Sequence, residues 1–195
     1  ALAVADADVI FLALKAEAFY ALAPTLCDMR LTGTVVSLMA GVCVEQIRKA
    51  LRFDGAVVRA MPNLAIAAGN GIVGHTKTDD AQIARLFSAL GFSFEVDEAD
   101  IEKITAFSAC GLGFAAYVLG CFIEAGQALG LDETLCDQIV RRNFQAALAA
   151  GDLGQTVSAV ATKGGATEQG LSYLRESHLS DILSGAVQRA YGILK

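Results

Sequence analysis

Histidine is nearly absent: the 195 residues hold two, His75 and His178, in unrelated contexts. A histidine-built metal site is therefore not expected, and no metal is assigned. Five cysteines are present (Cys27, Cys43, Cys110, Cys121 and Cys136), an odd number without a C-x-x-C pair. That argues against a disulfide framework or a zinc site, and for free thiols in a reducing compartment. Charge is scarce, at 18% of residues, with 15 basic against 21 acidic and a net charge of −6. No basic cluster exists, so nucleic acid is not an expected partner. No signal peptide opens the chain, and together with the thiols this gives the expectation of a cytoplasmic protein. Neither a Ser-His-Asp nor a Cys-His arrangement stands out, nor does a pair of acid/base carboxylates. An enzyme with this composition would leave the hard chemistry to a cofactor.

Apolar residues are abundant, at 54%, and an excess of this kind often enters an obligate interface. The chain is organised around residues 97–130. Residues 105–123 are 19 consecutive positions without a charge. A run of about 20 apolar residues could cross a bilayer. Gly111, Gly113, Gly120, Thr105, Ser108 and two cysteines lower its hydrophobicity, however, and it has neither an aromatic belt nor a basic flank. The expectation is no membrane, but a central helix wrapped by a partner subunit.

Before this run the pattern is α/β. Residues 8–14 form a short apolar run that reads as a buried parallel strand. A helix opens at 15–17 and continues to about Leu26. A β-branched strand follows at 34–38, then a helix over 44–51. A third strand over 56–61 is stopped by Pro62 and Asn63. The turn Gly69-Asn70-Gly71 precedes a strand at 72–75. Asp79 and Asp80 are placed to cap a helix over 81–90, and residues 92–96 alternate as a last strand. This alternation implies a mostly parallel sheet with right-handed crossovers. From Asp97 onward the pattern is helical: the central helix ending near Gly130, a helix from Asp132 to about Ala150 broken by Gly151 and Gly154, and a short helix or turn at 156–161. Two more helices are expected over 168–176 and 180–194. The fold class is α/β followed by all-α, with domains at 1–96 and 97–195.

Three places could carry chemistry. The strand ends at residues 14–15 and 38–41 lie where open parallel sheets bind ligands, and their small residues would admit a flat ring. Ordinary loop packing is the alternative. Asn63 could donate to a ligand or simply hold its turn. Residues 162–167 set paired glycines before a helix, a ready anion site, with the Thr167 hydroxyl beside it. A plain helix–helix turn explains the same residues, and Lys163 could equally face solvent. Glu124, on the central helix, could be a buried functional acid or a snorkelling side chain.

Several segments together resemble the pyrroline-5-carboxylate reductase family. ADADVIFLALK resembles the family's ADVVILAVKP; VVSLMAGVCVEQIRKAL resembles IISIAAGVSIEKL; RAMPN matches R-x-MPN. FSACGLGFAAYVLGCFIEAGQALGL resembles LSGSGPAYVFLFIEALADAGVRLGL, and ATKGGATEQGL resembles TSPGGTTIAGL. The matches fall in the family's order and cover nearly the whole chain. The resemblance implies an incomplete Rossmann-type nucleotide-binding domain followed by a helical dimerisation domain that interlocks into a homodimer or higher oligomer. It implies reduction of the imine 1-pyrroline-5-carboxylate to L-proline with NADP or NAD as cofactor. By the same resemblance Ala13, Leu14 and Lys15 border the cofactor, Leu38, Met39 and Ala40 lie near the nicotinamide, and Asn63 is a further neighbour. Gly165, Ala166 and Thr167 would hold the substrate, with Thr162 close by and the Thr167 hydroxyl steadying the reacting nitrogen as the catalytic contact.

Three departures stand against the family pattern. The opening strand and G-x-G-x-x-G turn have no counterpart, as though about 50 residues were absent, which would weaken dinucleotide binding. Cys110, Leu112 and Phe114 replace the family's second Ser, its Pro and its Tyr. Thr162-Lys163 replaces its Ser-Pro. A paralogue acting on another imine or keto compound, or a non-catalytic dimerising fragment, therefore stays open at this level.

Overall fold

The computed structural model describes residue 4 and residues 6–194. Its strands are β1 (Val9–Leu12), β2 (Thr34–Ser37), β3 (Val57–Pro62), β4 (Gly71–His75) and β5 (Gly91–Glu95). They form one sheet in the order β1-β2-β3-β4-β5. β1, β2 and β3 run parallel, as do β4 and β5, whereas β3 and β4 are antiparallel. The antiparallel pair arises because only a short 3-10 turn, Leu64–Ala68, separates β3 from β4. A parallel return would need a crossover of a dozen or more residues.

Helices α1 (Ala16–Asp28), α2 (Val44–Leu51) and α3 (Ala81–Ala89) fill the longer connections. Side chains alternate along the strands, so Val35 and Val36 enter opposite cores. One core joins Ile10, Leu12 and Val35 to Phe19 of α1 and Ile47 of α2. The other joins Val36, Val58 and Val73 to Ile83 and Phe87 of α3. Asp80 caps α3, its Oδ1 accepting from the N–H groups of Gln82 and Ile83, while Asp79 pairs loosely with Lys77 instead.

A short helix, α4 (Ile101–Ile104), runs through a π-helical turn at Thr105–Ala109 into α5 (Cys110–Ala128). The π turn has no signature in the apolar pattern. Then come α6 (Glu133–Ala149), α7 (Leu153–Val160), α8 (Ala166–Glu176) and α9 (Leu179–Leu194). Gly130 and Gly151 take left-handed backbone angles at their helix ends, and Asp132 caps α6. Gly154, expected to be a breaker, lies inside α7, where Asp152 caps the helix just upstream. The chain divides into two compact units, Ala1–Leu112 with Val187–Lys195, and Gly113–Ala186.

Burial differs sharply along the chain. In the second unit only Cys136 and Val140 are buried hydrophobics. Tyr117, Leu129, Leu148 and Tyr173 are at least 70% exposed. The helical stretch Glu98–Ala128 is long and apolar enough to cross a membrane by length and composition, and little of it is buried within the chain. All five cysteines are free thiols.

Candidate functional site

The register places the first group of expected site residues. Leu12, Ser37 and Arg59 lie in one row across β1, β2 and β3. β1 and β2 stop at that row, so residues 13–15 and 38–40 leave the sheet side by side. The Leu38 N–H donates to the Leu12 carbonyl at 3.1 Å. Ala13 and Lys15 are exposed, Leu14, Leu38 and Ala40 half-buried, and Met39 fully buried. β3 instead continues to Pro62, where it pairs with β4. Asn63 therefore sits four residues past the row, roughly 13 Å along the strand direction. Its Oδ1 accepts from the N–H groups of Ala65 and Ile72, both at 3.2 Å, so its carbonyl end holds the turn.

The loop after β2 is fastened by groups that the sequence pattern did not single out. Arg59, 2% exposed, sits on β3 beneath it. Its Nη2 donates to the Met39 carbonyl at 3.2 Å and to Glu102 Oε1 at 2.5 Å. The same Glu102 oxygen accepts from the Gly41 N–H at 3.2 Å. Glu98 lies 3.7 Å from Arg59 Nη1, and its Oε1 accepts from the Val44 N–H, at the start of α2, at 2.6 Å. Burial pushes the Glu102 carboxyl up, but the Arg59 hydrogen bond and charge, with the Gly41 N–H, outweigh it and hold it below its ordinary value of 4.5. A cavity of about 470 Å³ borders this cluster, lined by Gly41, Arg59, Glu98 and Glu102 among others. Arginine in the RAMPN segment was the available signal; its carboxylate partners lie some 40 residues on, too far for any spacing rule.

The second group lies in the helical unit. The Gly165 N–H donates to the Thr162 carbonyl at 2.9 Å, closing a turn that ends in α8. Gly164 takes φ +74°, which favours glycine, and a Cβ on Gly165 would stand 2.5 Å from Thr162 Oγ1 and 3.0 Å from its carbonyl oxygen, so the turn leaves little room for a side chain there. Gly165 is the N-cap and has no capping side chain to offer, which leaves first-turn N–H groups without intrahelical acceptors. Thr162, Ala166 and Thr167 are exposed. Glu168 was not anticipated: its Oε2 accepts from the Gly164 N–H at 2.5 Å and places a negative charge in the first turn. Glu124 is exposed within the single chain. Ser108, in the π turn, keeps a buried hydroxyl that finds no acceptor.

The carboxyl ends of β1 and β2 leave room for a planar ring. Ala13, Ala40 and Gly41 are small, Gly41 takes φ +71° with no atom nearer to its Cβ position than 3.6 Å, and two of the loop's backbone groups, the Met39 carbonyl and the Gly41 N–H, are tied back to Arg59 and Glu102. A nicotinamide lying on that backbone would meet no competing charge from the loop.

A parallel-dominated α/β sheet followed by a run of helices is the architecture of an incomplete Rossmann-type domain with an appended helical domain. The family described as pyrroline-5-carboxylate reductase dimerisation matches residues 98–194. A Staphylococcus aureus protein named pyrroline-5-carboxylate reductase is 30% identical over 203 residues, covering 95% of this chain and 74% of that one. The Coxiella burnetii pyrroline-5-carboxylate reductase structure superposes with a TM-score of 0.81 at 27% identity, covering 97% of this chain and 75% of that one. A Plasmodium falciparum pyrroline carboxylate reductase with NADP bound shares the fold, with a TM-score of 0.89 at 20% identity, over 96% of this chain and 76% of that one. The chain belongs to the pyrroline-5-carboxylate reductase family. Its helical half, residues 98–194, matches that family's dimerisation domain.

Proposed function

We propose that this chain reduces the cyclic imine 1-pyrroline-5-carboxylate to L-proline, using NADPH or NADH. The observation that carries the reading is the identity to the S. aureus reductase, which runs through both halves rather than one shared domain. The proposed nucleotide-binding portion is residues 1–96 and the dimerising, substrate-binding portion 97–195, two copies joining through the latter's helices. Free thiols support a cytoplasmic location.

In this reading Ala13, Leu14 and Lys15 border the dinucleotide, Leu38, Met39 and Ala40 support its ring, and Asn63 offers its amide donors at the end of β3. A bound reduced nicotinamide supplies a hydride to the imine carbon. The chain's own work is to bind and align. The first-turn N–H groups at Ala166 and Thr167, aided by the helix dipole, hold the substrate carboxylate. Glu168 takes the Gly164 N–H and leaves those of Ala166 and Thr167 to the substrate. The Thr167 hydroxyl steadies the ring nitrogen, which arrives protonated and becomes the amine of the product. Holding two rings face to face supplies several kcal/mol of the barrier without an acid or base from the protein.

Cys110, Leu112, Phe114 and Lys163 favour a second reading, a paralogue that reduces another imine or a keto compound. Leu112 is exposed and Cys110 half-buried, so both can alter a pocket without disturbing a core. The deciding experiment is NADPH oxidation by the protein expressed from its complete reading frame, with 1-pyrroline-5-carboxylate as substrate. Turnover is expected, and Thr167→Ala should lower kcat/KM by about a hundredfold with an unchanged circular dichroism spectrum. No turnover by folded protein that binds NADPH would favour the second reading. Full activity in the Thr167 variant would remove the substrate site assigned here.

A further inference from the structure

We propose that Arg59 and Glu102 act together as a clamp that positions the nicotinamide-facing loop, residues 38–41, and that Glu98 pins its exit into α2. The inference rests on the reading of residues 38–40 as neighbours of the nicotinamide ring.

Two backbone groups of this loop, and a third at the start of the helix it enters, are taken by side chains distant in sequence. The Met39 carbonyl goes to Arg59, the Gly41 N–H to Glu102 and the Val44 N–H to Glu98, across separations of 20, 61 and 54 residues. The Met39 carbonyl is buried and must find a partner, which a short-range turn would normally provide; Gly41 is exposed and Val44 half-buried, so their bonds to Glu102 and Glu98 fix position where water could have served. Here the loop does little of this itself: Met39 N–H reaches only the Ser37 hydroxyl, at 3.3 Å. The anchors also lie on rigid elements. Arg59 is in β3, directly across from Ser37, the last residue of β2. Glu102 is on α4 and Glu98 just before it.

A buried ion pair is weak evidence of stabilisation, since apolar residues of similar volume often do as well. What an apolar pair could not do is fix the height and tilt of residues 39–41. A ring lying on that backbone inherits its position, and an ångström of displacement can cost about a hundredfold in rate. The clamp touches no reacting atom in this scheme. It acts through the loop, and so Arg59 and Glu102 are positioning residues.

The test has two arms. In the first, amide exchange is followed by NMR on the chain without cofactor. Glu102→Ala should accelerate exchange at Gly41 by at least about tenfold and leave Val44 unchanged, whereas Glu98→Ala should do the reverse. Glu102→Gln, which keeps an acceptor, should restore most of the Gly41 protection. Glu102→Ala leaves Arg59 unpaired and could unfold the sheet; Glu98→Ala and Glu102→Gln, on partly exposed carboxylates, keep the arm decisive. Unchanged exchange at Gly41 in Glu102→Gln and Glu102→Ala alike would overturn the clamp. In the second arm, imine reduction by Glu102→Gln and Glu102→Ala is compared in the complete reading frame's product. Glu102→Ala should lose at least about tenfold in kcat with KM for NADPH within about threefold, and Glu102→Gln should recover most of it. Faster Gly41 exchange with unaltered kcat would overturn the positioning role. A wild-type protein without imine turnover would fail the functional reading alone, while the exchange arm would still decide the clamp.

Discussion

The two halves of this chain solve the burial problem differently. The α/β half carries its own cores on both faces of the sheet, with Phe19, Val35, Val36, Ile47 and Ile83 wholly buried. The helical half, from Gly113 to Ala186, buries two hydrophobic side chains and leaves a groove of Tyr117, Phe122, Leu179 and Ile182 uncovered. Both are rich in apolar residues. The difference is where the partner surface comes from: in one case from the same chain, in the other, under the proposed pairing through a dimerisation domain, from a second copy. An apolar fraction therefore says how much surface must be hidden, and not by whom.

The strongest challenge to that contrast is a charge in the groove. Ile182 is 61% exposed in the single chain, where Ile182→Glu should be harmless. In an assembly the carboxylate would be buried without a partner, and a symmetric dimer would carry it twice. The dimer dissociation constant should rise by about a thousandfold, read as a shift from two or more chains to one by light scattering.

Much of the α/β half is legible in the residues alone, because strands bounded by turn residues and alternating with helices leave few architectures. The α2 helix and the Asp80 cap fall where the local chemistry puts them. The antiparallel β3–β4 pair does not, because direction depends on connection length and not on strand composition. The π turn at Thr105–Ala109 is hidden inside an uncharged run whose periodicity is too weak to register one extra residue. For the site, the glycine turn before α8 is legible from its paired glycines, and the strand ends from the α/β rule. Arg59, Glu98 and Glu102 are not, since an ion-paired cluster is recognised by its partners and these come together only in the fold. Glu168 gives no signal of its own because a first-turn acid is ordinary in any helix.

Within the α/β half, truncation should be felt at once. Ile47→Ala, in the core shared by α1, α2 and the sheet, should cost roughly 2–5 kcal/mol in urea unfolding. The same loss whether the chain is assembled or dissociated would confirm that this half owns its core, and a loss confined to the assembled state would blur the distinction.

A smaller effect should appear with pH. Glu102 has a lowered value in the folded state, so its contacts add stability above its ordinary value of 4.5 and lose it as pH falls through the folded value. Unfolding of the α/β half should thus be easier at about pH 3 than at about pH 7, and Glu102→Gln should reduce that difference. An undiminished difference in the variant would assign the acid sensitivity to other carboxylates.

The most direct measurement of the contrast is residue-level amide exchange along a dilution series that takes the assembly apart. Protection in α5 to α8 should fall in step with dissociation, while Val35, Val36 and Val58 in the sheet keep theirs. Helices equally protected in a stable monomer would contradict the account, because a half with two buried hydrophobic side chains would then be holding itself together.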